Sequence, residues 1–194
     1  MSFVPSGCAA TERGVSTAEH RDLADLVAKI QDALLRRHET VAVAESLTGG
    51  LVAAAITERP GASDVFVGSI TAYATTIKES LLGVDPSLLA ERGAVDADVA
   101  LAMAEGVRQR MTATYGVATT GVAGPDSQDG QPVGTVFVAV SADTARSVAA
   151  LTLTGNRREI RTGAVISALE LLCRTLPAGD AGNAGIGARS DTRH

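Results

Sequence analysis

The chain has 194 residues, a formal charge of −5 and 45% apolar residues, but only 3% aromatic ones. That size supports one well-buried domain and is short for two, and its core must be built from Ala, Val, Leu and Ile. The acidic balance argues against a nucleic-acid surface, which rests on clustered Lys and Arg. With no apolar run of about 18 residues and no signal-type segment, no membrane association is expected and the expected location is the cytoplasm.

Residues 1–15 mix Pro, Gly, Ser and Thr without a period and predict a flexible tail. Ser16 and Glu19 match a capping box, and Leu23, Leu26, Val27, Ile30 and Leu34 follow at helical spacing to about His38. The stretch from Thr40 to Ile56 organises the rest. An apolar run ends in Glu45, Ser46 and Thr48, and then Leu51, Val52, Ala55 and Ile56 recur with a helix period. It reads as strand, tight turn and helix, with the polar residues at the carboxyl end of the strand, where open α/β sheets bind ligands. Gly49 and Gly50 allow a tight bend or close approach to a ligand. The same residues also suit an ordinary N-cap, Ser46 or Thr48, followed by turn glycines.

Val65 to Tyr73 predicts a strand whose alternate residues Val65, Val67, Ser69, Thr71 and Tyr73 share a face that turns hydroxylic toward its end. A short helix from Thr75 to Leu82 carries Lys78. Asp85-Pro86 and Asp96 are helix starts, and the second helix should turn Val99, Met103, Val107 and Met111 inward, with Glu105, Arg108 and Arg110 available to water. Tyr115–Thr120 reads as a buried strand running into a Gly- and Pro-containing loop. Gly134–Ser141 and Arg146–Leu153 read as a hairpin. A last helix runs from about Arg157 to Leu176, and residues 177–194 have the composition of a disordered tail. The order places helices on both faces of one sheet, a single three-layer α/β/α domain over residues 16–176 with a mixed, mostly parallel sheet.

Several chemistries can be set aside. Neither G-x-x-x-x-G-K-[ST] nor G-x-G-x-x-G occurs. The three histidines, His20, His38 and His194, lie away from the Ser46 turn, which leaves no Ser-His-Asp triad or His-based metal site. Cys8 and Cys173 form no framework, and Cys173, in an apolar helical pattern, reads as a buried thiol, with a reactive thiol as the lesser alternative. Asp126 and Asp129 are weak as a metal site, and no metal or cofactor is expected.

The basic residues are more informative: of 17, only Lys29 and Lys78 are lysines. Arg keeps its proton, whereas Lys can lose one when buried or near positive charge. Lys78 is therefore the candidate base for a Ser46 nucleophile, against the plainer reading of a surface lysine; Lys29 is assigned to solvent. Tyr73, at the same end of the sheet, either orients the lysine, relays a proton or stacks on a ring, or is a structural strand-end tyrosine. The Thr120-Gly121-Val-Ala-Gly124 loop offers amides to an anion. Arg157 and Arg161 form a candidate phosphate clamp, with helix capping and solvated charge as the alternative.

Taken as an ordered set, Ala44-Glu-Ser-Leu-Thr-Gly-Gly50, Tyr73 with Lys78, Leu82-Gly-Val84, Gly93-Ala-Val95, Thr120-Gly-Val-Ala-Gly-Pro125, Pro132-Val-Gly-Thr-Val136 and Gly155-Asn-Arg157 resemble the C-terminal domain of the competence/damage-inducible protein A (CinA) family. That domain also occurs alone as nicotinamide-nucleotide amidase. The resemblance implies a fold related to anticodon-binding α/β/α domains and hydrolysis of nicotinamide mononucleotide to nicotinate mononucleotide and ammonia, in pyridine-nucleotide salvage. It implies a serine–lysine pair matching Ser46 and Lys78. Tyr73 would join the catalytic set. Glu45, Thr48, Gly49, Gly50, Thr120, Gly121, Gly124, Arg157 and Arg161 would bind substrate. Leu47 stands where the family usually has Cys, Thr75 where it often has Asn, and Asn156 where Asp is common. The rival reading is a non-catalytic nucleotide-binding or scaffold domain. A homodimer or higher homo-oligomer is expected of a small Ala-rich domain.

Overall fold

The computed structural model describes residues 17–177. The expectations for residues 1–15, for the Ser16 cap and for the tail beyond residue 177 lie outside them. Helix α1 (Thr17–Arg37) is followed by β1 (Val41–Glu45), α2 (Leu51–Thr57), β2 (Phe66–Thr71), α3 (Thr75–Leu82), α4 (Pro86–Arg92) and α5 (Ala97–Arg110). Strands β3 (Tyr115–Gly121), β4 (Thr135–Ser141) and β5 (Arg146–Thr152) precede the final helix α6 (Arg157–Thr175). The elements stop where their chemistry requires. At the end of α1, His38 takes φ 55°, its N–H bonds the Leu35 carbonyl and the Glu39 N–H bonds the Leu34 carbonyl, the paired closure of a left-handed helix terminus. Asp85 and Asp96 cap α4 and α5 as expected, each accepting an N–H two residues on.

The strand order is β2-β1-β3-β4-β5. The β1–β2 and β1–β3 pairs are parallel, and the β3–β4 and β4–β5 pairs antiparallel. The sheet is thus mixed, with the two kinds of pairing in equal number. Helices cover both faces. Val41, Val43, Val117, Val136, Val138 and Val140 pack toward residues of α1, α2 and α6, among them Ile30, Leu34, Val52, Ile160 and Leu169. Ala42, Ala44, Ala118 and Ala139 pack toward α3, α4 and α5 through Leu82, Leu89, Val99, Met103 and Val107. The small residues on the second face let α5 lie close: a Cβ on Gly116 would fall 2.0 Å from the Ala104 carbonyl oxygen. Alternation along each central strand thus gives one valine-rich and one alanine-rich layer.

Two sequence-based expectations change. The shared face of Val65, Val67, Ser69, Thr71 and Tyr73 is broken by a bulge: Val41 pairs with Phe66 and Ala42 with Gly68, leaving Val67 extra. The alternation slips by one there. Val65 is therefore buried while Val67 is exposed, and Phe66 and Ile70 pack on opposite sides of the sheet. Glu105 and Arg108 are not simply solvated either. Glu105 accepts from Ser141 and Arg108, and Arg108 also donates to Asp143, which ties α5 to the β4–β5 hairpin. The Ser141 hydroxyl foremost, then Arg108, lowers the Glu105 carboxyl to about 2.

Candidate active site

The chain leaves β1 toward β2 on one side and leaves β3 toward β4 on the other, so a crevice opens at the carboxyl ends of β1 and β3. A pocket lies there, lined by Ser46 and Leu47 after β1, Thr120 to Gly124 at the end of β3, Tyr73, Ala94, Val95, Asp126, Gln128 and Arg157. Counting the part open to solvent, it spans about 460 Å³.

Ser46 sits at the floor, 9% exposed. Behind it is Lys78, 1% exposed, whose Nζ donates to Ser46 Oγ at 3.0 Å, to the Ala72 carbonyl at 2.8 Å and to the Tyr73 carbonyl at 3.4 Å. The topology explains the meeting: β1 delivers the serine, and its parallel neighbour β2 delivers α3, with the lysine on its first turn. Burial lowers the lysine from 10.5 to about 8, against a raising pull from the Asp129 carboxylate. A neutral amine has two N–H bonds and one lone pair. With the carbonyls of Ala72 and Tyr73 accepting the two N–H groups, the lone pair is left for the Ser46 hydroxyl proton.

The other residues expected at the site divide. Glu45 faces away from the pocket. Fully buried, its carboxylate accepts the N–H groups of Gly50, Val52 and Ala53 at 2.9 to 3.1 Å. It caps α2 from the strand before it, the role expected of Ser46 or Thr48; Gly50 stands at the N-cap itself and offers no side-chain oxygen. Thr48 shares a hydroxyl hydrogen bond of 2.7 Å with Thr119, and Gly49 N–H closes the turn onto the Ser46 carbonyl. The Gly49 and Gly50 amides are thus engaged within the fold.

Tyr73 meets the lysine only through its carbonyl; its ring is 60% exposed, and its hydroxyl accepts from Arg157 at 3.0 Å. Arg157 also donates to the Gly124 carbonyl, so Tyr73, Gly124 and Arg157 join across the pocket mouth. Thr120, buried, gives its hydroxyl proton to the Ala94 carbonyl at 2.6 Å, and Gly121 lines the wall. Arg161 does not line the pocket; it reaches the carbonyls of Leu47 and Thr48. Asn156 caps α6 in a capping box with Glu159, and Thr75 is exposed at the start of α3. Neither departure from the family pattern touches the serine–lysine contact.

Ala94, Val95 and Gln128 carry no chemical signature in the sequence, and Asp129 reads there only as a weak metal ligand. Asp129 instead accepts the Ala94 N–H at 3.1 Å. Gly93-Ala-Val95 was a visible signal without a mechanism: a Cβ on Gly93 would lie 3.0 Å from that of Asp129. Among the described residues no three His, Cys, Asp or Glu side chains cluster at metal-binding distance, and no helix is long and apolar enough to cross a membrane.

A model of the CinA C-terminal domain matches residues 23–176. The chain belongs to the CinA C-terminal domain family. This CinA domain is 52% identical over 143 residues to a CinA-like protein of Frankia casuarinae, covering 74% of this chain and 33% of that protein. It is 46% identical over 158 residues to a CinA-like protein of Mycobacterium avium, covering 78% of this chain and 35% of that one. The chain therefore spans about a third of the length of the curated relatives it matches. Among solved structures, the competence/damage inducible protein CihA of Agrobacterium tumefaciens superposes with a TM-score of 0.76 at 33% identity, over 90% of this chain and 98% of that one. A CinA superfamily protein of Enterobacter cloacae gives 0.77 at 25% identity, over 91% and 98%.

Proposed function

We propose that this CinA domain is a serine–lysine amidohydrolase that converts nicotinamide mononucleotide to nicotinate mononucleotide and ammonia. The observation that carries the reaction type is the buried Lys78 Nζ, 3.0 Å from Ser46 Oγ, with two carbonyls holding its protons. The choice of amide follows from the family resemblance. It is supported by a polar pocket mouth, where Arg157 offers its charge to a phosphate and Asp126 and Gln128 offer partners to ribose hydroxyls.

Neutral Lys78 takes the Ser46 proton as Oγ attacks the carboxamide carbon. The lysine returns that proton to the departing nitrogen, the C–N bond breaks and ammonia leaves an acyl-serine. Water, deprotonated by the same lysine, then attacks the ester and frees the acid, and Ser46 recovers its proton. These steps use Ser46, Lys78 and water. A lysine lowered to about 8 suits both directions of transfer near neutral pH. Thr75, where the family often has Asn, is exposed and outside the Ser46–Lys78 contact, which supports the amidase reading over the non-catalytic one.

The test is ammonia release from nicotinamide mononucleotide by the purified protein. Ser46→Ala should abolish it without unfolding the domain, and Lys78→Arg should fail as badly as Lys78→Ala, because guanidinium stays protonated. An Arg variant with near-normal kcat would remove Lys78 as the base.

A further inference from the structure

Arg161 lies one helical turn beyond Arg157 on α6, yet its side chain turns to the back of the Ser46 turn. Its Nε donates to the Leu47 carbonyl at 3.0 Å and its Nη2 to the Thr48 carbonyl at 2.7 Å. Gly49, at φ +60°, leaves room for this: a Cβ there would lie 3.4 Å from Arg161 Nη2. The Ser46 carbonyl is taken by the Gly49 N–H at 3.1 Å. Three successive carbonyls of the turn therefore have donors, whereas the N–H groups of Leu47 and Thr48 have no acceptor among the described residues.

That asymmetry has a geometric cause. In a planar trans peptide the N–H points opposite to the C=O, so a guanidinium holding the Leu47 carbonyl on the α6 side fixes the Thr48 N–H away from it. The Gly49 bond to the Ser46 carbonyl fixes the Leu47 N–H in the same way. Buried amides without acceptors are rare in folded proteins, and Thr48 is fully buried. Leu47 lines the pocket, and two free amides in succession directly after a nucleophile match the donor pair that a developing oxyanion needs.

We infer that Arg161 is a positioning residue: holding the Leu47 carbonyl fixes the Thr48 N–H, and holding the Thr48 carbonyl orients the Gly49 N–H whose bond to the Ser46 carbonyl fixes the Leu47 N–H, so that both amides stay free and aligned for the oxyanion formed when Ser46 attacks. This rests on Ser46 being the nucleophile but not on which amide is hydrolysed. It also replaces the expectation that Arg161 binds phosphate.

A fluorophosphonate probe reads the step without the natural substrate. Ser46 Oγ attacks phosphorus, the O–P bond forms as the P–F bond breaks, fluoride leaves, and the serine proton passes to Lys78 and then to solvent. The phosphoryl oxygen occupies the oxyanion position. Labelling mapped to Ser46 by mass spectrometry should be about 100-fold slower in Arg161→Lys and Arg161→Ala, the scale for losing an aligned oxyanion donor, with thermal midpoints close to wild type. Millimolar guanidinium should restore part of the rate in Arg161→Ala only. With nicotinamide mononucleotide, kcat should fall and KM stay nearly constant. Labelling of both variants at the wild-type rate, loss confined to KM, an unfolded Arg161→Lys protein, or a wild-type Ser46 that does not label would each overturn the inference. Arg161-dependent labelling without ammonia release would instead leave it standing and overturn the choice of substrate.

Discussion

Lys78→Met isolates the energetic consequence of burying an amine, and its outcome depends on neither substrate nor activity. Methionine keeps a flexible side chain of similar length and has no proton to lose. At pH 7 the wild-type lysine is protonated in both the folded and unfolded chain. Folding must then desolvate the charge of a side chain that is 1% exposed. A fall from 10.5 to about 8 makes that cost roughly 3 kcal/mol, at about 1.4 kcal/mol for each tenfold change in proton affinity. Between pH 8 and 10.5 the folded protein has released the proton and the unfolded chain still binds it, so wild-type stability from this group rises with pH. Above 10.5 the cost is gone, and below 8 it is present in full. The stability of Lys78→Met minus that of wild type should therefore fall by about 3 kcal/mol from pH 7 to pH 11. Hydrogen bonds lost by Ser46 Oγ and the Ala72 carbonyl set the offset between the two proteins but not this pH-dependent part. Urea denaturation of both proteins at several pH values measures the difference, and groups that titrate alike in both cancel. A difference that is flat with pH, or that grows, would show that Lys78 is not held as a desolvated amine.

Asp129→Asn removes the charge that raises Lys78 while keeping an oxygen for the Ala94 N–H. The acid limb of kcat/KM should move to lower pH, and an unmoved limb would dissociate Asp129 from the lysine. Glu45→Ala strips three N–H groups at the start of α2 of their buried acceptor. It should cost about 2–4 kcal/mol, seen as a drop of roughly 5–15 °C in thermal midpoint, with Glu45→Gln losing less; a drop of only a degree or two would mean that water replaces the carboxylate.

The fold was legible where local pattern and tertiary context agree. The apolar runs at Val41–Ala44 and Tyr115–Ala118 are buried on both faces, as near-continuous hydrophobic strands should be. The Asp85 and Asp96 caps are decided within a few residues. The pairing of Ser46 with Lys78 could be reached from composition, because an arginine-rich chain without a histidine near the turn leaves few bases. What escaped the sequence was long-range or a matter of registry. Gly68 inside the β2 run is a signal for a bulge, but not for which residue it leaves extra or for the reversal of faces that follows. Glu45 caps from a strand end, outside the usual N-cap position, and so read as a ligand residue. Arg161 and Arg157 are four residues apart and chemically alike, yet one grips the backbone of a turn and the other the pocket mouth. Only the path of α6 past the sheet distinguishes them.

The two members of the pair stand on unequal ground. Ser46 follows β1, which has a hydrogen-bonded strand on each side, whereas Lys78 follows β2, a bulged strand at the sheet edge with one neighbour. Proteins open in parts, and an edge strand with its following helix can separate at less cost than the whole domain unfolds. Such an opening would carry the lysine away from the serine while the core between β1, β3 and α6 stayed closed. The working life of the site is then set by how firmly β2 and α3 hold to β1, and warming should extinguish the chemistry while most backbone amides of the central strands are still protected from exchange.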